Sequence, residues 1–334
     1  MQFPYYYTPV AGNYSPAERD EMFGMIRNAD TPGNLASYNG VLALAPRPNL
    51  LDNAYFVGRG TGYGVFPVNQ RGQTQYSGSN NYFDRWKGST NISATLQSDG
   101  VLISSSGSSD VSFYQGLPIE PLLGKTVTGS ILTADGTLYV GTGTVPSSVP
   151  ASGNVYAFSI DTDVGKFNLA YVSVRSQLEF TITLPGAGRS IKLAAAKLEV
   201  GSIQTLAHQE NGVWVLNEIP RYDDELLKCQ RYYTKFTYSG FIGRGYTNAN
   251  TAVVSIVTPV AMQIVNSVSG FSRLSCLING NWYQVASISI LSQTNNVVTI
   301  TCSFASGTTF ASNLDASLAL DSHNAAYLEL SAEL

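Results

Sequence analysis

The chain is predicted to be all-β, and three observations predict it. Charged residues fill only 13% of the 334 positions, whereas Tyr (20) and Gly (31) are abundant, a composition that suits strands and turns with a polar, uncharged surface. Asp-Gly or Asn-Gly pairs split alternating segments at Asp99-Gly100, Asp135-Gly136, Asn211-Gly212 and Asn279-Gly280. Such pairs supply the positive φ of two-residue hairpin turns. Period-2 alternation is explicit at Leu178, Phe180, Ile182 and Leu184, with Glu179, Thr181 and Thr183 on the opposite side.

Residues 1–45 differ in character from the rest of the chain. Ser15-Pro16-Ala17-Glu18 is a capping box with proline at the first helical position, and Met22, Ile26 and Ala29 form a sparse apolar stripe. Asp30-Thr31-Pro32-Gly33 stops this helix. The segment holds too little apolar material for its own core, so it is expected to attach the chain to a partner or to another copy. Pro46-Arg47-Pro48 then reads as a stiff linker.

Residues 46–206 are expected to form a jelly-roll β-sandwich. Its strand candidates are "NISATLQS", "VLISSS", "VTGSILTA", "TLYVGTG", "NVYAFSI", "LAYVSV", "LEFTITL" and "SIKLAAAKLEV". Early in this stretch, "FVGRGTGYGVFPVNQRGQ" carries alternating glycines from Gly58 to Gly64. Neither a G-x-G-x-x-G nor a G-K-[ST] spacing is met, and no helical pattern comes after it, so a loop or edge strand is expected rather than a phosphate-binding loop. Residues 207–234 are expected to be a hairpin and a helix. Asp223, Asp224 and Glu225 at the helix start and Lys228 and Arg231 toward its end match the macrodipole, with Leu226, Cys229 and Tyr233 on one face. Residues 235–334 return to strands ("TAVVSIVTPV", "RLSCLING", "NWYQVASISIL", "NVVTITCSFA", "AAYLELSAEL") and are expected to form a second β-sandwich.

The net charge of −4 gives no footprint for nucleic acid or for an acidic membrane surface, and the N-terminus shows no signal peptide and no membrane span. Cys229, Cys276 and Cys302 lack C-x-x-C spacing and are expected to be buried free thiols, although Cys276 and Cys302 both sit in strand-like segments.

Three stretches resemble a known family. "PNLLDNAYF…PVNQRGQTQYSG…NYFDRW" is similar to the entry into the carbohydrate-binding-module-like jelly roll of phage and prophage tail fibre and head fibre proteins. "AAAKLEVGSIQTLAHQENGVWVLNEIP" resembles the exit from that jelly roll, and "YDDELLKCQRYY" resembles the helix before the C-terminal tip domain. The resemblance covers roughly residues 46–235. It implies a virion adhesion protein: a homotrimer, made in the bacterial cytoplasm and carried on the particle surface. Residues 1–45 would contact other virion proteins and the β-domains a host cell-surface glycan. A head fibre or capsid decoration protein is the alternative within the virion, and a polysaccharide depolymerase the alternative of another class.

Catalytic chemistry is thinly supplied. The chain has two histidines, His208 and His323, both expected in exposed loops, and no G-x-S-x-G or H-E-x-x-H. Asp84, Glu120, Asp161 and Glu179 are a pool for paired-carboxylate glycoside cleavage, with nothing to single out a pair. Asp161-Thr162-Asp163-Val164-Gly165 lacks the remaining ligand positions of a calcium loop and is expected to be a solvated turn. No enzyme activity, cofactor or metal is expected. Sugar binding has better material, because rings with apolar faces and polar neighbours suit saccharides. Trp282 and Tyr283 are adjacent on a strand and must face opposite ways, flanked by Asn281 and Gln284, with Tyr246 in a nearby segment. Trp86 and Tyr82 in "NNYFDRWKG" are the next candidates, although a Trp on an early strand more often packs into a core.

Overall fold

The computed structural model describes residues 47–58, 66–79, 81–186, 188–265, 267–321 and 326–332. The expected N-terminal helix, nearly all of the Gly58–Gly64 stretch and His323 lie outside the described residues. From Pro48 onward the chain is one compact unit.

The first half is a two-sheet sandwich. One sheet is built from β1 (Gln75–Ser77), β3 (Ile92–Gln97), β4 (Gly100–Ser105), β6 (Thr126–Thr133), β7 (Leu138–Thr144) and β11 (Ser190–Val200), in the order β1-β3-β4-β11-β6-β7. The other is built from β2 (Lys87–Gly88), β5 (Val111–Leu117), β8 (Asn154–Asp161), β9 (Lys166–Val172) and β10 (Gln177–Leu184), in the order β2-β5-β10-β9-β8. All pairings are antiparallel, and the chain changes sheet at β1→β2, β2→β3, β4→β5, β5→β6, β7→β8 and β10→β11, the crossing pattern of a jelly roll. The hairpins form at Asp99-Gly100 and Asp135-Gly136, and Leu178, Phe180, Ile182 and Leu184 all enter the core. Glu179 faces the other way but is also buried, held by Arg175 and Gln177.

Tyr82 and Trp86 are 0% exposed, which corrects the expectation that they are candidate ligand contacts. Trp86 stacks on Phe113 with ring centroids 4.7 Å apart and meets Phe56 edge-on at 5.5 Å. Its indole N–H donates to the Asn53 carbonyl at 2.9 Å, and the Tyr82 hydroxyl reaches the carbonyls of Gly78 and Ile92 at 2.9 Å each. With their polar ends satisfied inside, both rings contribute their full apolar area to the core.

The connector covers the outer face of the first sheet. β12 (Ala207–Glu210) and β13 (Val213–Leu216) form a hairpin around Asn211 and Gly212, whose φ values of 52° and 83° fit a type I′ turn. A bulge between Leu193 and Ala195 turns alanines outward, where they pack with Tyr55, Phe66, Leu206 and Ala207. Lys197 and Glu199, on the same strand, are sealed beneath this cover. Lys197 Nζ pairs with Glu218 at 3.0 Å, and Glu199 accepts the Thr205 backbone N–H and hydroxyl at 2.6 and 2.7 Å. His208 therefore lies on a strand rather than in the expected loop.

Helix α1 (Tyr222–Gln230) comes next, and its buried positions are Glu225 and Cys229. Tyr233, expected on the helical face, instead opens β14 (Tyr233–Phe236).

The second sandwich is built from β14 together with β15 (Gly240–Asn248), β16 (Thr251–Val257), β17 (Ser267–Ser272), β18 (Leu274–Ile278), β19 (Asn281–Gln284), β20 (Ser287–Thr294), β21 (Val297–Ser303), β22 (Asp315–Leu320) and β23 (Tyr327–Ser331). It pairs a three-stranded sheet, β14-β23-β17, with a seven-stranded one, β19-β18-β22-β15-β16-β21-β20. The edge strands β19 and β20 are consecutive, with only Val285 and Ala286 between them, so the seven-stranded sheet must curl until its two edges meet. The curl brings Cys276 of β18 and Cys302 of β21 together inside. There a thiol–thiol contact and burial hold Cys302 well above the ordinary thiol range.

The two sandwiches meet at a polar junction. Asn53, buried with φ 54°, donates from Nδ2 to the carbonyls of Val68 and Asp84 at 2.8 Å each, and accepts the Val68 N–H at 2.6 Å. Its own N–H donates to Glu225 Oε2 at 2.8 Å. Buried Asp84 holds Arg71 at 3.0 Å and Gln70 Nε2 at 2.9 Å, and the same Gln70 group reaches the Tyr233 carbonyl at 2.8 Å. Arg85 binds Asp52 at 3.1 Å and lies 3.5 Å above the Tyr232 ring, and Arg71 lies 3.8 Å above Tyr233.

Candidate functional site

Around Ser275, Ser317 and Ala319 the outer face of the seven-stranded sheet carries small side chains, so large rings stand proud of it there. The Asn279-Gly280 turn (φ 47° and 79°) sets the register of β19, pairing Leu277 with Trp282 and Ser275 with Gln284. Alternation then sends Trp282 and Gln284 outward and Tyr283 inward. Trp282 is 58% exposed, while Tyr283 packs edge-on against Phe310 at 4.9 Å and Phe304 at 6.2 Å. The expected division of the pair into one outward and one inward ring is what the strand shows.

Trp282 does not stand alone. Phe241, 53% exposed on β15, lies with its ring centroid 6.0 Å from that of Trp282, the planes 13° apart. Two strands separate β19 from β15, and at this level they present Ser275 and Ala319. These small residues let the two rings lean together above the sheet. A groove of about 570 Å³ runs beside them, with Ser275 and Ala319 along it and Ser239 and Asp321 contributing polar groups. An aromatic platform beside hydroxyl and carboxylate acceptors can stack on the apolar face of a sugar and bond its hydroxyls.

Of the other candidates, Gln284 shares the outward face with Trp282, and Asn281 is exposed at the turn, its amide 3.3 Å from the Asn279 carbonyl. Tyr246 is 48% exposed and on the same sheet face, but five residues along β15 from Phe241, roughly 15 Å away, opposite Asp315. It is not part of the groove. Trp86 and Tyr82 lie in the other sandwich's core.

Phe241 is the member that sequence alternation misses. Counting back from outward Tyr246 and Arg244 places residue 242 outward and 241 inward. A bulge between Phe241 and Gly243 reverses the parity, burying Ile242 and exposing Phe241. A Cβ at Gly245 would lie 1.8 Å from the Val253 carbonyl oxygen, so that position admits no side chain.

Three members of the carboxylate pool are engaged by cations: Asp84 by Arg71, Asp161 by Lys166 at 3.2 Å, and Glu179 by Arg175. Thr162 and Gly165 close the Asp161–Gly165 segment as a tight turn, with Thr162 N–H to Gly165 O at 2.7 Å. Among the described residues no group of three or more His, Cys, Asp or Glu side chains is placed to hold a metal ion.

No protein-family model matches the chain, and neither curated proteins nor solved structures yield a match.

Proposed function

We propose that the chain is a structural subunit of a bacteriophage particle, a trimeric fibre or receptor-binding subunit that holds host surface glycans without cleaving them. The observation that carries the binding part of this reading is the exposed Phe241–Trp282 pair beside a polar-ended groove. Contiguous exposed apolar surface rimmed by polar groups is characteristic of interaction sites. The virion part rests on the three stretches that resemble phage fibre proteins. Two of them meet physically: Asn53 belongs to the first and Glu225 to the third, and they are hydrogen-bonded. That contact supports reading the stretches as parts of one unit.

In this reading residues 1–45 attach the subunit to the particle. Each glycan contact is weak, and three copies on one fibre raise the effective concentration of sites. Three of the four acids named for cleavage, Asp84, Asp161 and Glu179, are paired with cations, which favours adhesion over hydrolysis. The test has two arms. Antibody labelling of intact particles should place the protein at a tail or head projection, and particles carrying Trp282→Ala should adsorb to host cells at least tenfold more slowly. A protein absent from particles, or release of reducing ends from host polysaccharide by the purified chain, would overturn the reading.

A further inference from the structure

The junction between the two sandwiches encloses a second concave surface that the aromatic platform does not use. On one side lies the edge of the jelly roll around β1, including Tyr76 and Arg71. On the other lies the outward side of the three-stranded sheet, with Tyr233 and Lys235 on β14 and Tyr327 and Glu329 on β23. The cleft measures about 630 Å³, within the range of small-ligand sites.

Three features decide what could occupy it. First, its cations are already balanced. Arg71 is paired with Asp84 at 3.0 Å, and Lys235 with Glu329 at 3.0 Å, so the walls offer polarity without net charge. An anionic ligand would have to break one of these pairs. Second, rings are present at the walls and the floor: Tyr76, Tyr233 and Tyr327, with Lys235 Nζ 4.8 Å above Tyr327 and Arg71 3.8 Å above Tyr233. Third, Tyr233 is 1% exposed, its hydroxyl enclosed beside Glu329, so Glu329 rather than Tyr233 is the polar group the cleft presents at this point. The floor is also pre-set, because Gln70 ties Asp84 to the Tyr233 carbonyl and so fixes one sandwich against the other.

We propose that this cleft is a binding site for a neutral oligosaccharide, with Tyr327 as the stacking ring and Glu329 bonding sugar hydroxyls. The proposal relies on the adhesive reading only for where such a glycan would come from. Binding should be measured with the purified full chain on an array of neutral hexose and N-acetylhexosamine oligosaccharides, with sialylated and uronic-acid oligosaccharides as charged controls. Neutral glycans should bind, and Tyr327→Ala should weaken them at least tenfold. Ser269→Trp, placing a large ring at an exposed position on the cleft wall, should do the same without lowering the melting temperature. Trp282→Ala should leave this binding within twofold.

The proposal is overturned if no neutral glycan binds, if only charged glycans bind, or if binding is lost in Trp282→Ala and kept in Ser269→Trp. A change of oligomeric state in Ser269→Trp without glycan binding would make the cleft a subunit contact and would equally overturn it. The two readings fail separately. Cleft binding by a protein that is absent from particles sinks the adhesin, and normal particle adsorption by Ser269→Trp and Tyr327→Ala with no glycan bound sinks the cleft.

Discussion

The backbone N–H of Asn53 donates to Glu225 Oε2 at 2.8 Å, joining positions 172 residues apart. Asn53 closes the entry to the jelly roll and Glu225 sits on the buried side of helix α1, so this bond links the first sandwich to the element that leads into the second. The Asn53 side chain uses both its donor and acceptor ends on Val68 and Asp84. Its φ of 54° is a conformation that Asn tolerates better than most residues.

Asn53→Ala removes three hydrogen bonds, leaves the buried Val68 N–H without its acceptor, and puts a Cβ-bearing residue with no local compensation at positive φ. The expected loss is at least ~3 kcal/mol of unfolding free energy. Asn53→Gly loses the same bonds but not the backbone tolerance, and should be about 1 kcal/mol less damaging than the alanine. Urea unfolding of the two variants beside the parent checks both numbers. A loss below about 1 kcal/mol in Asn53→Ala would mean that the Asn53 side chain does not hold the entry segment to Val68 and Asp84.

Lys197 gives a second stability test. Its ammonium is fully buried, and its ion pair is with Glu218, whose side chain is 40% exposed. Glu218→Ala strands the ammonium beneath the connector. A fully buried pair broken this way costs about 3–5 kcal/mol, and the partial exposure of Glu218 lets water in, so about 1–3 kcal/mol is expected. Lys197→Met with Glu218→Ala should recover most of it, since the methionine fills the stem's volume without a charge. Failure of the double variant to exceed Glu218→Ala in stability would show that the cost lies elsewhere.

Much of the fold was legible because its signals are local. The Asp-Gly and Asn-Gly turns fall where hairpins form, β10 matches the alternating segment that marked it, and β11 matches the strand candidate "SIKLAAAKLEV". Polar residues held by partners far away in sequence were not legible. Glu225 reads as an acid at a helix N-terminus, yet it is buried to receive Asn53, and Lys197 reads as the solvent side of a strand until the connector covers it. At the candidate site, adjacency showed that only one of Trp282 and Tyr283 could face outward, because two neighbours on a strand cannot share a face, and the register of β19 decided that Tyr283, also a candidate contact, turns inward. The partner ring of Phe241 was hidden by a bulge, which changes parity without any fixed sequence mark.

Trp282 and Tyr283 should separate binding from stability. Trp282→Ala removes an exposed ring and should change the unfolding free energy by no more than about 0.5 kcal/mol, while costing about 1–3 kcal/mol of glycan binding if the ring is a hot spot. Tyr283→Ala opens a gap beside Phe304 and Phe310 and should cost ~2 kcal/mol or more of stability. Calorimetric melting and cell-binding curves on both variants give the comparison. A destabilised Trp282→Ala with intact binding would remove the platform from the adhesive surface.

Stability should also depend on pH through His208. The Nδ2 of Asn217 donates to the Thr205 carbonyl at 2.8 Å, which turns its Oδ1 toward His208 Nδ1 at 2.5 Å. On the other side of the ring, His208 Nε2 lies 2.8 Å from Glu210 Oε1. Both ring nitrogens therefore face acceptors, and a neutral imidazole has only one N–H to give, so the geometry favours the imidazolium. The Glu210 carboxylate first, and the Asn217 bond second, raise His208 above its ordinary value of 6.5. Because the folded-state value is the higher one, the stabilisation is fully present below about pH 6.5 and fades as pH rises through the folded-state value. NMR titration of the His208 ring should give a midpoint above 6.5, and Glu210→Gln should lower it while flattening the decline in melting temperature over that window. A midpoint at or below 6.5 in the parent protein would show that the ring is neutral and that one of the two contacts is not a hydrogen bond in solution.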